Sequence, residues 1–204
     1  MTKAYAERTI AAYRVHAAKA ERNWSRLRRP SRFLQIFAAS LPPGGRVLDY
    51  GCGIGTETAW LRRQGFRVEA LDGTLEFVRA ARRRCPGVPI LHDRFESVRL
   101  PSGRYDGIWC NAALIHVPPG ELARQLEKLR VSLRPAGLLG LTLAWGHAKR
   151  FLRRDWLPGR YFAAYTKPEM AVFLRGWSVR RLAIAFHDGR RGRWIQFLGS
   201  WNVG

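Results

Sequence analysis

The sequence predicts an α/β protein, a three-layer sandwich around a mainly parallel seven-stranded sheet that ends in an antiparallel hairpin. Three observations predict it. From Arg46 onward, short apolar runs alternate with helical stretches. The first of those runs, RVLDY, leads directly into a turn with glycine at alternate positions, Gly51, Gly53 and Gly55. The chain then closes on two strand-like runs, SVRRLAIAF and WIQFLGSW, separated by DGRRGR. Strand–helix alternation builds parallel neighbours because each crossover returns the chain to the same end of the sheet, whereas a short turn reverses its direction.

Ahead of the sheet, residues 3–22 read as one helix, with Tyr5, Thr9, Ala12, Tyr13 and His16 near helical spacing on one side. Pro30 interrupts it, Ser31 is suited to capping, and FLQIFAASL forms a second helix that stops at Pro42-Pro43-Gly44-Gly45. The alternation follows in order: RVLDY strand, ETAWLRRQG helix, FRVEALD strand, TLEFVRAARRR helix, VPILHD strand, YDGIWCN strand, PGELARQLEKLRVSL helix and AGLLGLTLAW strand. Thr166 before Lys167-Pro168-Glu169 reads as an N-cap with proline just inside, so a short helix runs through Phe173.

A length of 204 residues suits a single domain, 1–204. Within it we expect N-terminal helices that contribute to a lid (1–45), a ligand-binding core (46–145), a substrate-lid segment (146–166), and a helix with the terminal hairpin (167–204). A hydrophobic fraction of 47% fills a core, and no apolar run approaches the roughly 18 residues that would span a bilayer, so no membrane partner is expected. The N-terminal stretch carries Glu7 and Glu21 and lacks a compact apolar segment, which argues against a secretory signal and for the cytoplasm. Cys52, Cys85 and Cys110 include no Cys-x-x-Cys pair and read as reduced thiols, not as a disulfide framework or a zinc site. No metal is expected.

The net charge of +21 fits a polyanion partner, but 31 arginines against 5 lysines, scattered along the chain, fit a merely basic surface equally. The glycine turn is more specific. A dinucleotide site points a helix N-terminus at a pyrophosphate, whereas here Asp49 stands where the phosphates would approach. A carboxylate there repels phosphates and suits a ligand with a cationic end, such as S-adenosylmethionine.

VLDYGCGIG resembles the first motif of the class I (Rossmann-like) S-adenosylmethionine-dependent methyltransferases, an apolar strand followed by Asp/Glu-x-Gly-x-Gly-x-Gly. The resemblance continues in order through VEALDGT, LHDRFES and YDGIWCNAALIHVPPGEL to the turn Arg134-Pro135-Ala136-Gly137 before strand five. The wording NAALIHV is similar to the small tellurite-resistance-type members. The resemblance implies S-adenosylmethionine as cofactor and S-adenosylhomocysteine as product. It places Asp49, Gly51, Cys52, Gly53 and Gly55 around the methionine and ribose portions, and Asp72 with Gly73 at the ribose hydroxyls, which a strand-end carboxylate can accept. It puts Asp93, Arg94 and Phe95 at the adenine and Asn111 with Ala112 on the floor of the site; Asp93 reads equally well as a residue capping a turn.

Methyl transfer is an in-line displacement at a carbon already activated by a sulfonium, so alignment and exclusion of water matter more than a nucleophile. His116, after strand four, is the candidate base, and packing under the cofactor is its competing reading. Tyr13, His16, His147, Trp156, Arg160 and Tyr165 are candidate acceptor-pocket residues, set in an arginine-and-aromatic segment that suits an anionic or flat acceptor. Asn111-Ala112-Ala113-Leu114 replaces the Asp/Asn-Pro-Pro-Tyr of base amino-methylators, and Trp109 precedes Cys110 where pyrimidine carbon-five methylators have proline. The sequence thus points to a small-molecule acceptor, with RNA methylation or a non-catalytic cofactor-binding module as alternatives; it says nothing of oligomeric state.

Overall fold

Seven strands form a continuous run in the order β3-β2-β1-β4-β5-β9-β8. The computed structural model describes residues 2–26, 29–186 and 192–201. The strands are β1 (Arg46–Tyr50), β2 (Arg67–Asp72), β3 (Ile90–His92), β4 (Tyr105–Asn111), β5 (Leu133–Trp145), β8 (Trp177–Phe186) and β9 (Arg193–Trp201). β1 to β5 pair in parallel, and β9 then runs antiparallel to both β5 and β8. The expected sandwich with its terminal hairpin is present; the DGRRGR turn lies largely outside the described residues.

Helices α3 (Arg32–Ala39), α4 (Thr56–Arg63) and α5 (Leu75–Arg84) cover one face, and α6 (Pro119–Ser132) and α7 (Lys167–Phe173) the other. Strand alternation assigns the side chains. On β4, Ile108 and Cys110 pack toward α6 with Leu122, Leu126 and Leu129, while Trp109 between them packs toward α3 with Phe33 and Phe37. Gly107 lets α3 approach β4, since a Cβ there would come within 2.7 Å of Leu41 and 2.9 Å of Phe37. The predicted caps form: Ser31 Oγ accepts from Leu34 N–H at 3.1 Å, and Thr166 with Glu169 makes a reciprocal capping box.

Three local expectations are corrected. The helix read over 3–22 is two, α1 (Thr2–Val15) and α2 (Ala17–Trp24), because His16 leaves the helical region, with φ −108° and ψ 13°. Past the bend, α2 packs against α5 and the glycine turn, with Ala20 beside Ile54, Phe77 and Ala80. Arg134–Gly137 is a bulge within β5: the register jumps from Tyr105↔Leu133 to Gly107↔Leu138, and Ala136 has φ 61°. The segment read as a lid contains an additional pair of strands, β6 (Lys149–Phe151) and β7 (Tyr161–Tyr165), antiparallel to each other. β7 joins β5 only at Ala144 and Trp145, so this pair branches from the sheet at the end of β5.

Candidate functional site

Strand order reverses between β1 and β4, and in such sheets the crevice at the carboxyl ends of the diverging strands is where ligands enter. A cavity of about 1010 Å³ lies there. Its floor is the turn after β1 and the residues that follow β2 and β4; its cover comes from α1, α2 and the segment before β7.

The glycine turn is held by the end of β2. Asp72 Oδ2 accepts from Gly53 N–H at 2.9 Å and Oδ1 from Thr74 N–H at 2.8 Å. Burial pushes the Asp72 carboxyl above its usual range, with the two N–H bonds acting in the opposite direction. Gly51 has φ 84°, and a Cβ there would stand 2.4 Å from Ala113 Cβ and 3.1 Å from the Phe95 ring, so only glycine leaves this floor open. Phe95 is stacked on Tyr50 at 4.6 Å between ring centres, which fixes the plane of the aromatic wall.

Behind the turn, Asp49 is buried and accepts from Thr58 Oγ1 at 2.6 Å. Burial, followed by the charge of Glu57, pushes it up to about 8 against the Thr58 bond. At the end of β4, Asn111 donates to Glu57 Oε1 at 2.8 Å and accepts from Thr142 Oγ1 at 2.6 Å. Ala112 N–H donates to the same Thr142 oxygen at 2.9 Å, holding Ala112 at φ 54°.

The cover is polar at one point and aromatic around it. Tyr13 OH lies 2.7 Å from His116 Nε2, and His116 Nδ1 lies 2.6 Å from the Tyr161 carbonyl oxygen. Arg160, 7% exposed, donates to Tyr13 OH at 2.9 Å and pairs with Asp155. Trp24 packs against Tyr13, Phe77 and Trp156. The same indole covers the glycine turn: its ring would be 3.4 Å from a Cβ on Gly53.

Of the residues singled out from sequence, Gly51, Cys52, Gly53, Asp72, Gly73, Arg94, Phe95, Asn111, Ala112, Tyr13, His116, Trp156 and Arg160 all line this cavity. The others stand outside its wall. Asp49 lies beneath the turn and Gly55 faces Ala81 of α5. Asp93 accepts from Arg94 N–H at 2.7 Å and from Ser97 Oγ at 2.5 Å, the turn-capping arrangement. His16 is at the α1–α2 bend, His147 is exposed after β5, and Tyr165 packs its ring against Phe173 with its hydroxyl toward the Val117 carbonyl. All three cysteines are buried free thiols, and burial pushes Cys52 and Cys110 well up, away from nucleophilic thiolate.

Sequence reasoning missed Glu57 and Trp24, which both line the cavity. An acid in the first turn of a helix has an ordinary reading as a partner of the helix dipole, and nothing in the N-terminal pattern says that Trp24 reaches the glycine turn. Among the described residues no helix is long and apolar enough to cross a membrane.

A family model described as a methyltransferase domain matches residues 47–137. A malonyl-[acyl-carrier protein] O-methyltransferase of Pseudescherichia vulneris is 27% identical over 190 residues, 89% of this chain and 75% of that protein. A ubiquinone biosynthesis O-methyltransferase of Xanthomonas axonopodis pv. citri is 35% identical over 120 residues, 55% of this chain and 48% of that protein. The chain spans about half the length of other malonyl-[acyl-carrier protein] O-methyltransferases that it matches, 43% and 55%. Among solved structures, the 1,6-didemethyltoxoflavin-N1-methyltransferase of Burkholderia thailandensis, with 1,6-didemethyltoxoflavin and S-adenosylhomocysteine bound, superposes with a TM-score of 0.80 at 22% identity, covering 99% of this chain and 91% of that one. These relatives lend no support to the tellurite-resistance wording of NAALIHV.

Proposed function

We propose that the chain, whose residues 47–137 match a methyltransferase-domain model, is a class I S-adenosylmethionine-dependent methyltransferase, and that it methylates a small, flat, anionic acceptor held beneath the N-terminal helices. The observation that carries this reading is a single cavity with two chemically different ends. One end is bare glycine backbone beside the Asp72 carboxylate; the other is Tyr13, His116 and Arg160 set among Phe77 and Trp156, and Trp24 spans the two.

The first end fits the cofactor. Gly51 leaves a cradle that a Cβ would fill, and the carboxylates of Asp72 and Glu57, with Asp49 behind them, favour a cation and disfavour a pyrophosphate. In this reading Asp72 holds the ribose hydroxyls, Gly51 and Gly53 pass under the methionine portion, Arg94 and Phe95 flank the adenine, and Asn111 and Ala112 form the floor. Bound there, the cofactor supplies a sulfonium-activated methyl carbon. The protein's own part is alignment and exclusion of water: Trp24 over Gly53 and Ile10 over Gly73 cover the turn. Residues 1–204 act as one domain, in which the helices of 1–45 contribute to the cover together with 146–166, 46–145 forms the core, and 167–204 completes the sheet.

The second end fits the acceptor. Arg26, Arg29, Arg63 and Arg154 also line the cavity and add positive potential around the aromatic rings. A solved neighbour that carries 1,6-didemethyltoxoflavin with S-adenosylhomocysteine supports a small-molecule acceptor. The test is incubation of the purified chain with S-adenosylmethionine labelled in its methyl group and a cell extract separated into small-molecule, protein and RNA fractions. Label in the small-molecule fraction, absent with Asp72→Ala, is the expected result; no transfer to any fraction would overturn the reading.

RNA is the second reading, favoured by the net charge of +21. Phosphate neutralisation releases counterions, so RNA held for methylation would dissociate steeply as salt rises. Label in the RNA fraction together with that salt dependence would replace the small-molecule acceptor.

A further inference from the structure

The cavity wall opposite the glycine turn carries a bonded series of side chains whose order fixes the positions of the protons. The Tyr161 carbonyl oxygen, 2.6 Å from His116 Nδ1, can only accept, so Nδ1 carries the hydrogen. In the neutral ring Nε2 is then the bare nitrogen, and the Tyr13 hydroxyl, 2.7 Å away, donates to it. Arg160 Nη1 donates to the same phenol oxygen at 2.9 Å, and its guanidinium is held in turn by the Leu157 carbonyl at 3.0 Å and by Asp155. A cation on one side and a base on the other polarise the Tyr13 O–H bond toward His116. Among the described residues, the bonded groups of the cluster come from α1 (Tyr13), from the segment before β7 (Asp155, Arg160) and from the 3₁₀ turn after β4 (His116), and α2 and α5 pack the rings of Trp24 and Phe77 against Tyr13.

We propose that Tyr13 is the catalytic group that takes the proton from a weakly acidic hydroxyl of a flat acceptor, with His116 as the relay behind it and Arg160 holding the phenolate charge; this rests on the methyl-transfer reading above. The acceptor O–H gives its proton to the Tyr13 oxygen as the Tyr13 proton passes to His116 Nε2. The freed oxygen pair forms the new bond to the methyl carbon, and the carbon–sulfur bond breaks with its electrons returning to sulfur, which becomes a neutral thioether. His116, now an imidazolium still bonded to the Tyr161 carbonyl, releases its extra proton to solvent through Tyr13 after the product leaves. Tyr13 is placed to act because α1 is tied down independently: Tyr161 N–H donates to Thr9 Oγ1 at 3.0 Å.

The alternative is that these bonds only latch α1 over the cavity, and the two are separable without any methyl transfer. The full chain is saturated with S-adenosylhomocysteine and given 4-nitrocatechol, a flat hydroxyl compound whose absorbance reports its own ionisation. We expect the bound probe in the native protein to ionise about one pH unit or more below its value in solution, roughly a tenfold change in the equilibrium. Tyr13→Phe and His116→Gln lose that shift, Arg160→Lys keeps part of it and Arg160→Met does not, while calorimetric affinity for S-adenosylhomocysteine stays within about twofold in each. Failure of the probe to bind, an unshifted probe in the native protein, or the same shift in Tyr13→Phe overturns the relay. Loss of S-adenosylhomocysteine affinity in Tyr13→Phe assigns the bonds to a latch and overturns it as well. A working relay in a chain that labels no extract fraction would sink the methyl-transfer reading and leave the proton chemistry standing.

Discussion

Asn111, the last residue of β4, donates its side-chain amide to Glu57 Oε1 at 2.8 Å and so ties that strand end to the first turn of α4. Trp109, two residues earlier, donates its indole N–H to the other oxygen of the same carboxylate, also at 2.8 Å. Glu57 thus joins the two strand ends that diverge around the cavity. Glu57→Ala removes the acceptor of both bonds, one of them from the fully buried Trp109 indole, and a loss of about 2–3 kcal/mol is expected. Urea unfolding measures it, and calorimetry should show weakened binding of S-adenosylhomocysteine in the same variant because the floor at Ala112 loses its support.

Gly51→Ala should be more damaging at the site than in the fold. The added methyl meets Ala113 Cβ at 2.4 Å, and the backbone must keep φ 84°. Overpacking and left-handed strain together cost about 1–3 kcal/mol. The double variant Gly51→Ala/Ala113→Gly removes the contact with Ala113 Cβ and keeps both the 3.1 Å approach to Phe95 and the strain. It should recover part of the thermal stability, and equal melting temperatures for the single and double variants would refute the steric account.

In the proposed site, Asp49 should couple cofactor binding to pH. Its folded-state carboxyl is raised to about 8, chiefly by burial and then by Glu57, so folding takes up a proton there between the ordinary carboxylate range and about pH 8. This group therefore disfavours the folded state progressively as pH rises through that window, and Asp49→Asn should flatten that part of the stability profile. A cationic ligand reverses the preference. S-Adenosylmethionine should release protons on binding near neutral pH, and the product, which lacks the sulfonium charge, fewer, as calorimetry in buffers of different ionisation enthalpy would show.

Glu69 gives the opposite dependence at the far end of the sheet. It accepts from Arg46 at 2.9 Å and from Tyr105 OH at 2.9 Å, and pairs with Arg104. Burial would raise its carboxyl, but the bonds from Arg104, Tyr105 and Arg46 outweigh burial and hold it below the usual range. A depressed carboxylate contributes stability that is present above its unfolded value and lost as pH falls through the folded one. Glu69→Gln should cost about 1–2 kcal/mol at neutral pH, discounted for the exposure of Arg104, and the difference from the native chain should vanish in acid.

Much of the fold was legible because its determinants are local. Ser31 and Thr166 announce helix starts through short-range hydrogen bonds, and the β1–α4–β2–α5–β3 alternation follows from the period of its apolar residues. The β6–β7 pair was not legible: KRF is too short for a period to register, and YFAAY is buried without alternation. The break at His16 carries no proline or glycine to mark it. At the site, the strand-end residues Asp72 and Asn111 were findable because their places along the chain fix their places at the crevice. Tyr165 was misplaced for the converse reason: an aromatic at a strand end points to either side of a sheet, and here it faces the core beside Phe173.

The sequence alone determined the layered sheet and the glycine turn, since each depends on residues near one another in the chain; that Asp72 holds the turn from 19 residues away is a tertiary fact. Tertiary structure decided which side chains meet across that turn. Tyr13 and His116 are 103 residues apart, and Tyr13 and Arg160 are 147 apart; no local pattern encodes those bonds, because they exist only after α1 and the segment before β7 have folded onto the same end of the sheet.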